Sequence, residues 1–272
     1  MKRLLIAILL CSATIPGVAQ TKTTVTTTTT TAGDSTTTIT KKTKVKVSMG
    51  DFRSRRDSIH QNRQKSGFNF GLTFSRFDLG LTTLIDNGSF TLSPKNDFLS
   101  YRSWKSSNVG FDVIQFGYRF TSNFKVYLSG GFDWTLIRLR KDITIQRDAP
   151  VLTYVTDTIH FSKNRFSSSY FRIPLSFEFR SKEYSDGKRA RLILAPEAGI
   201  LIGGRVKQIS EENGKQKFDN DYHFAKVRYG LTTRIGYGSA GFYAKYYMND
   251  MFETSPAQKG LKNFAVGLTL GF

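Results

Sequence analysis

Cysteine occurs once in the 272 residues, at Cys11, inside an N-terminal stretch with the features of a secretory leader. The rest of the chain therefore has no intramolecular disulfide, no thiolate metal site and no cysteine nucleophile. Acidic side chains are scarce, 21 against 40 Lys and Arg, for a formal charge of +19. Such a balance ordinarily points to nucleic acid, but no recognised binding motif accompanies it, and an exported chain does not meet nucleic acid. After the leader no apolar run approaches the roughly 18 consecutive residues of a membrane helix. Histidine is limited to His60, His160 and His223, with no His-x-x-x-His spacing and no carboxylate cluster to suggest a metal. Phosphate-cradling glycine patterns are missing as well; Gly130-Gly131 and Gly203-Gly204 read as strand positions where side chains must be small. No cofactor is expected.

What is present begins with export. Met1-Lys2-Arg3 supplies a positive start, Leu4 to Leu10 an apolar centre, and Gly17-Val18-Ala19 the small residues of a cleavage site before Gln20, which together read as a signal peptide over 1–19. Residues 20–65 form a threonine-rich and then basic stretch. From Lys22 to Lys65 it carries ten cations against Asp34, Asp51 and Asp57. Without an apolar face it is expected to be a disordered periplasmic tail. Its basic half, Lys41 to Lys65, suits anionic lipid, lipopolysaccharide phosphate or an acidic periplasmic protein.

From residue 66 to 272 the text changes to short runs of period two, rich in Phe, Tyr, Val, Leu, Ile and Thr, with glycines inside them. Eight runs are legible: Gly67 to Asp78, Val109 to Thr121, Phe124 to Lys141, Ser168 to Ser181, Ala190 to Lys207, Tyr222 to Tyr237, Gly241 to Asn249 and Lys262 to Phe272. The connections alternate long and short. That asymmetry predicts an all-β fold, an eight-stranded antiparallel up-and-down transmembrane β-barrel with short periplasmic turns and long outer loops. The longest loops, Gly80 to Ser107 and Asp142 to Ser167, are the expected places for ligand contact.

Faces follow from energy, since Lys or Arg facing lipid at the midplane costs roughly 2–4 kcal/mol. Phe171, Ile173, Leu175, Phe177 and Phe179 must face lipid, with Arg172, Pro174, Ser176, Glu178 and Arg180 inward. Val227, Tyr229, Leu231, Thr233 and Ile235 likewise oppose Lys226, Arg228, Gly230, Thr232 and Arg234. In the last run Phe264, Val266, Leu268, Leu270 and Phe272 share the lipid face. An eight-stranded interior is filled by side chains, and the inward set predicts a lumen charge network of Asp133, Arg172, Glu178, Arg180, Glu197, Arg228 and Arg234, joined by Arg119 and Lys245. Pro174 and Pro196 each remove a ladder donor, which predicts a bulge or a local water at each. Aromatic girdles are expected from Phe120, Phe124, Phe179, Tyr237, Phe242 and Phe272 at the inner interface and Trp134, Tyr170 and Tyr222 at the outer.

Three local patterns carry a resemblance. Ser169-Tyr170-Phe171-Arg172-Ile173-Pro174-Leu175, then Phe242-Tyr243-Ala244-Lys245-Tyr246-Tyr247 with Met251-Phe252, and finally Phe264 to Phe272 together resemble outer-membrane β-barrel proteins of the Bacteroidota type, the group that includes PorT-like barrels. The likeness spans Gly67 to Phe272. It implies an outer-membrane location, a C-terminal assembly signal in Phe264, Val266, Leu268, Leu270 and Phe272 read by the barrel-assembly machinery, and O-glycosylation sequences at Asp34-Ser35-Thr36 and Asp57-Ser58-Ile59.

The functional expectation is a monomeric, non-enzymatic envelope or interaction protein, seated in outer-membrane lipid and lipopolysaccharide, working through its outer loops and basic periplasmic arm. The alternatives are a gated small-solute channel or transporter, an accessory component of a secretion system, and a rim enzyme in which His223 pairs with Asp221 or Asp133.

Overall fold

The computed structural model describes residues 67–72 and 76–271. The expected leader, the tail with its glycosylation sequences, His60 and Phe272 lie outside them. The described residues form twelve strands: β1 (Gly67–Leu72), β2 (Phe77–Asp86), β3 (Ser107–Arg119), β4 (Phe124–Arg138), β5 (Ile143–Ile145), β6 (Tyr154–Thr156), β7 (Lys163–Arg180), β8 (Ala190–Ser210), β9 (Gly214–Asn220), β10 (Val227–Tyr237), β11 (Ala240–Tyr247) and β12 (Leu261–Leu270). Among the described residues no helix is long and apolar enough to cross a membrane.

Eight of these strands close a ring. Running round it, β2 pairs with β3, then β4, β7, β8, β10, β11 and β12 follow, and β12 returns to β2, every pairing antiparallel. The sheet thus has no open edge over these spans. At the closing seam Gly80 of β2 lies opposite Gly267 of β12. A Cβ on Gly80 would collide with the Val266 carbonyl and the Tyr243 hydroxyl, so this approach of first to last strand requires glycine. The remaining strands are additions: β1 extends the first staves along β3, β9 folds back on the far end of β8, and β5 and β6 form a separate hairpin.

The outward face defines an apolar band. On β8 the exposed positions run Leu192, Leu194, Pro196, Ala198, Ile200 and Ile202, after which Arg205 and Lys207 project instead. Ten residue steps are about 33 Å of strand, or roughly 23–27 Å along the membrane normal at the usual tilt of 35–45°. That is the thickness such barrels present to lipid. The faces of β7, β10 and β12 sort as the alternation requires, with Arg172, Glu178, Arg228, Arg234 and Ala265 buried while Leu175, Leu231, Ile235, Val266, Leu268 and Leu270 are exposed.

Several expectations need correction. The first stave does not stop at Asp78 but continues to Asp86, because Gly80 and Thr82-Thr83 dilute an alternation that in fact persists. The expected loop from Gly80 is therefore residues 87–106. The stretch expected to connect the fifth and sixth runs holds the β8–β9 hairpin, and β7 begins five residues earlier than expected, at Lys163. Neither proline produces a bulge. The β4–β7 ladder lacks pairs at Ile173 and Pro174, and the β7–β8 ladder lacks them at Leu175 and Ser176, with register kept on both sides. The bulges fall elsewhere, at Val113 in β3 and Ile202 in β8, where one strand carries an extra residue against its partner.

Candidate functional site

The interior is a stack of three layers. In the middle, eight inward charges come from seven staves, two of them from β10, because the ring places alternate residues of β2, β3, β4, β7, β8, β10 and β11 toward one axis. Asp78 receives Arg234 bidentately, from Nε at 3.1 Å and Nη2 at 2.7 Å, and also Arg172 Nη1 at 3.0 Å. Arg172 continues to Asp112, donating from Nε at 3.1 Å and Nη2 at 2.8 Å. Asp133 accepts from Lys245, Arg228, Asn108 and the Tyr247 hydroxyl. Glu197 accepts from Thr232 Oγ1 at 2.9 Å and, at 2.9 Å, shares with Asp133 the single proton of Tyr247 Oη. The Arg228 guanidinium lies 3.7 Å from the Tyr170 ring centroid and 4.1 Å from that of Tyr247, a stacked arrangement that suits arginine rather than lysine.

Four acids, Asp78, Asp112, Asp133 and Glu197, thus meet four cations, Arg172, Arg228, Arg234 and Lys245, all of them buried. Ionised groups so enclosed persist only when paired and hydrogen-bonded; every charge of this layer has an ion-pair partner and a hydrogen bond, while Arg228 Nε and Arg234 Nη1 are left without one among the described residues. Of the charges expected in the lumen, Asp133, Arg172, Glu197, Arg228, Arg234 and Lys245 meet here. Glu178 and Arg180 sit apart, toward the short turns, bonded to each other at 2.6 Å. Sequence reasoning missed Asp78 and Asp112. Counting inward positions upward from Arg119 by twos puts Asp112 on the lipid face, and only the extra residue at Val113 restores it to the lumen.

Toward the long connections the lumen turns apolar. Phe166, Phe224 and Phe252 stack with centroids 4.7 and 5.1 Å apart, and Leu99, Leu139, Leu152, Tyr222 and Met251 join the same cluster. Apart from Phe166 of β7, those residues come from all four long connections. Their scattered apolar side chains, which in sequence look like incidental loop residues, form a core that seals this end. Between the seal and the charge layer a void of about 20 Å³ is lined by Tyr170, Arg228 and Tyr247 among others, room for about one water. Tyr170 and Tyr222 therefore do not belong to a girdle: both are buried inward, with the Tyr170 hydroxyl donating to the Ala225 carbonyl at 2.8 Å. Trp134 does lie outward, against Phe111 and Phe132. At the opposite interface Phe120, Phe124 and Phe179 run ring to ring at 5.6 and 5.1 Å.

The ring of His223 does not pair with Asp221 or Asp133. Both ring nitrogens of His223 are engaged, Nδ1 with Thr254 Oγ1 at 2.9 Å and Nε2 with the Ala149 carbonyl at 2.8 Å. Asp221 reaches only its backbone N–H, and Asp133 is occupied by the charge layer. His160 pairs with Asp142 at 2.8 Å rather than with neighbouring Asp157; hydrogen bonds from Phe161 N–H and His160 hold the Asp142 carboxyl below its ordinary range, against partial burial that raises it.

On the long-loop face an open groove of about 700 Å³ is lined by Lys95, Lys259, Lys262, Asp250, Pro94 and Pro256 among others.

No curated protein matches the chain. Among solved structures, a likeness exists to Ail, the attachment invasion locus protein of Yersinia pestis, in complex with the heparin analogue sucrose octasulfate. The two are 12% identical over 76% of this chain and 97% of that one, with a TM-score of 0.29, too low to carry a structural or functional argument. The family comparison is of a different strength. Residues 43–252 match the outer membrane protein beta-barrel domain family, more than half of the chain and seven of the eight ring strands, and the chain belongs to that family.

Proposed function

We propose that this barrel is a non-conducting, non-enzymatic envelope protein that acts as a monomer through its long-loop face, exposed to the exterior, while its termini and basic arm lie in the periplasm. The observation that carries the reading is the double closure of the lumen. A neutral layer of paired charges is capped by an apolar core to which every long connection contributes, so those connections serve as a built surface rather than as the rim of a pore. The groove beside Lys95, Lys259 and Lys262 is the part of that surface shaped to receive a partner.

Planar-bilayer recording of the refolded protein tests the closure. The expected result is no stepwise conductance at any holding potential. A conductance that changes on Glu197→Gln or Arg228→Gln would replace this reading with a gated channel. The basic arm, Lys41 to Lys65, is expected to engage an acidic periplasmic partner, as the PorT-like resemblance implies for an accessory of secretion. Affinity capture with and without those residues tests it: loss of a captured partner on deletion is the supporting outcome.

A further inference from the structure

Above the apolar band the outer wall changes character on one side of the ring. Four cations stand there in a single line across the strands: Arg138 of β4 lies directly opposite Arg165 of β7, Arg165 opposite Lys207 of β8, and Lys207 opposite Lys217 of β9. The line is on the outward face, since the neighbouring Ile137, Phe166 and Val206 are buried toward the axis. Adjacent strands are about 4.7–4.9 Å apart, so the line is roughly 14–15 Å long with each cation one strand from the next. Lys163 and Lys215 continue the same face two residues further from the band.

Among the described residues none of these six cations forms an ion pair. Asp219, the acid of β9 on the same face, is held by Arg205, and Asp142 by His160 and the Phe161 N–H. Glu211 and Glu212 stand at the tip of the β8–β9 hairpin and bridge to none of the six. Arg138 donates to the Ser162 carbonyl, and Arg165 Nε is buried without a hydrogen-bond partner. Desolvation and then the charges of Lys163, Lys215, Arg165 and Lys217 hold the Lys207 amine below its ordinary range, as expected of cations pressed on one another. Like charges directly opposite are destabilising, so an unbroken line of four calls for a counter-charge from outside the chain.

We propose that the outer wall of β4, β7, β8 and β9 is a docking site for a phosphorylated outer-leaflet glycolipid, whose phosphates are received by the line from Arg138 to Lys217. The assignment rests on the exterior placement of the long-loop face proposed above. Height selects the ligand. Lys207 stands five residues beyond Ile202, where the apolar band ends, which is about 16 Å of strand and roughly 12–14 Å along the membrane normal at the usual tilt. A phospholipid headgroup layer is only about 5–8 Å deep, so the line meets phosphates carried on sugars above that layer. Two guanidinium and two ammonium groups spread over such a length suit two phosphates of one lipid better than a single one. Directly below, the exposed Ile200 and Ile202 offer apolar wall to its acyl chains.

The test titrates three lipids against the full-length refolded protein in a non-ionic detergent and counts retained lipid by native mass spectrometry: bisphosphorylated lipid A, the same lipid with its phosphates removed, and phosphatidylglycerol. The expected result is saturable retention of the bisphosphorylated lipid, with apparent affinity at least tenfold weaker for each of the other two. The double change Arg165→Gln and Lys207→Gln should weaken retention of the bisphosphorylated lipid by at least the same factor. Lys182→Gln with Lys188→Gln, in the short turn between β7 and β8, removes equal charge and should leave retention at the parent level. Equal retention of the phosphorylated lipid and either of the others, or a line variant that binds as the parent does, would overturn the proposal. Should that variant fail to fold, the parent's discrimination among the three lipids decides by itself. Binding in detergent does not depend on orientation, which is read separately by labelling Lys217→Cys on intact cells with a membrane-impermeant maleimide. A labelled protein that does not discriminate among the lipids loses the site alone; an unlabelled one overturns the exterior placement and with it the outer leaflet as the source.

Discussion

Replacing Asp133 with leucine is expected to destabilise the folded barrel by about 3–5 kcal/mol, the range for breaking a buried ion pair by removing one partner. The size follows from what is left behind. Lys245 and Arg228 both donate to this carboxylate, together with Asn108 and Tyr247, so the substitution strands two cations in a space that admits almost no water. Adding Lys245→Met to Asp133→Leu should recover part of the loss, since one of the stranded charges goes with it. Chemical denaturation in lipid vesicles, followed by tryptophan fluorescence from Trp134, measures both. A single variant as stable as the parent would mean that the layer is hydrated or differently paired.

The second large effect concerns the opposite face of the same wall. Leu231 is exposed at the centre of the apolar band, opposite Pro196 of β8, and Leu231→Arg should cost about 2–4 kcal/mol in a bilayer. Ile209→Arg, on the part of β8 that already projects Arg205 and Lys207, should stay within about 0.5 kcal/mol, as surface changes do. Equal penalties at the two sites would remove the case for a band that ends near Ile202.

How much of this was legible in sequence depended on where the period of two ran without interruption. In β7 and β10 charged and apolar residues alternate cleanly, in β12 small or polar residues alternate with apolar ones from Asn263 onward, and the faces read from that alternation are those of the fold. The layer of charges was only partly legible, for a local reason in each case. Asp78 looks like a strand end because Gly80 and two threonines follow it, although Asp78, Thr82 and Leu84 continue one inward row. Asp112 is hidden by the extra residue at Val113, since a bulge inverts parity and leaves no mark in composition. The apolar seal was the least legible feature. Leu99, Leu139, Leu152 and Phe252 are far apart in sequence, and nothing local says that four separate connections converge on one axis. Pro174 and Pro196 misled in the other direction, because a ladder can lose two pairs and keep its register.

Closure of the ring between β2 and β12 is the claim on which the seal, the charge layer and the lipid band all depend. Thr83 and Phe264 are directly opposite across that seam and both on the outer wall, and no cysteine other than Cys11 competes. The decisive measurement is cross-linking of Thr83→Cys with Phe264→Cys by a short bifunctional thiol reagent in the folded, membrane-inserted protein. The closed barrel predicts a near-quantitative intramolecular link, seen as altered migration after boiling. Two thiols that each react with a monofunctional maleimide but never with one another would contradict it.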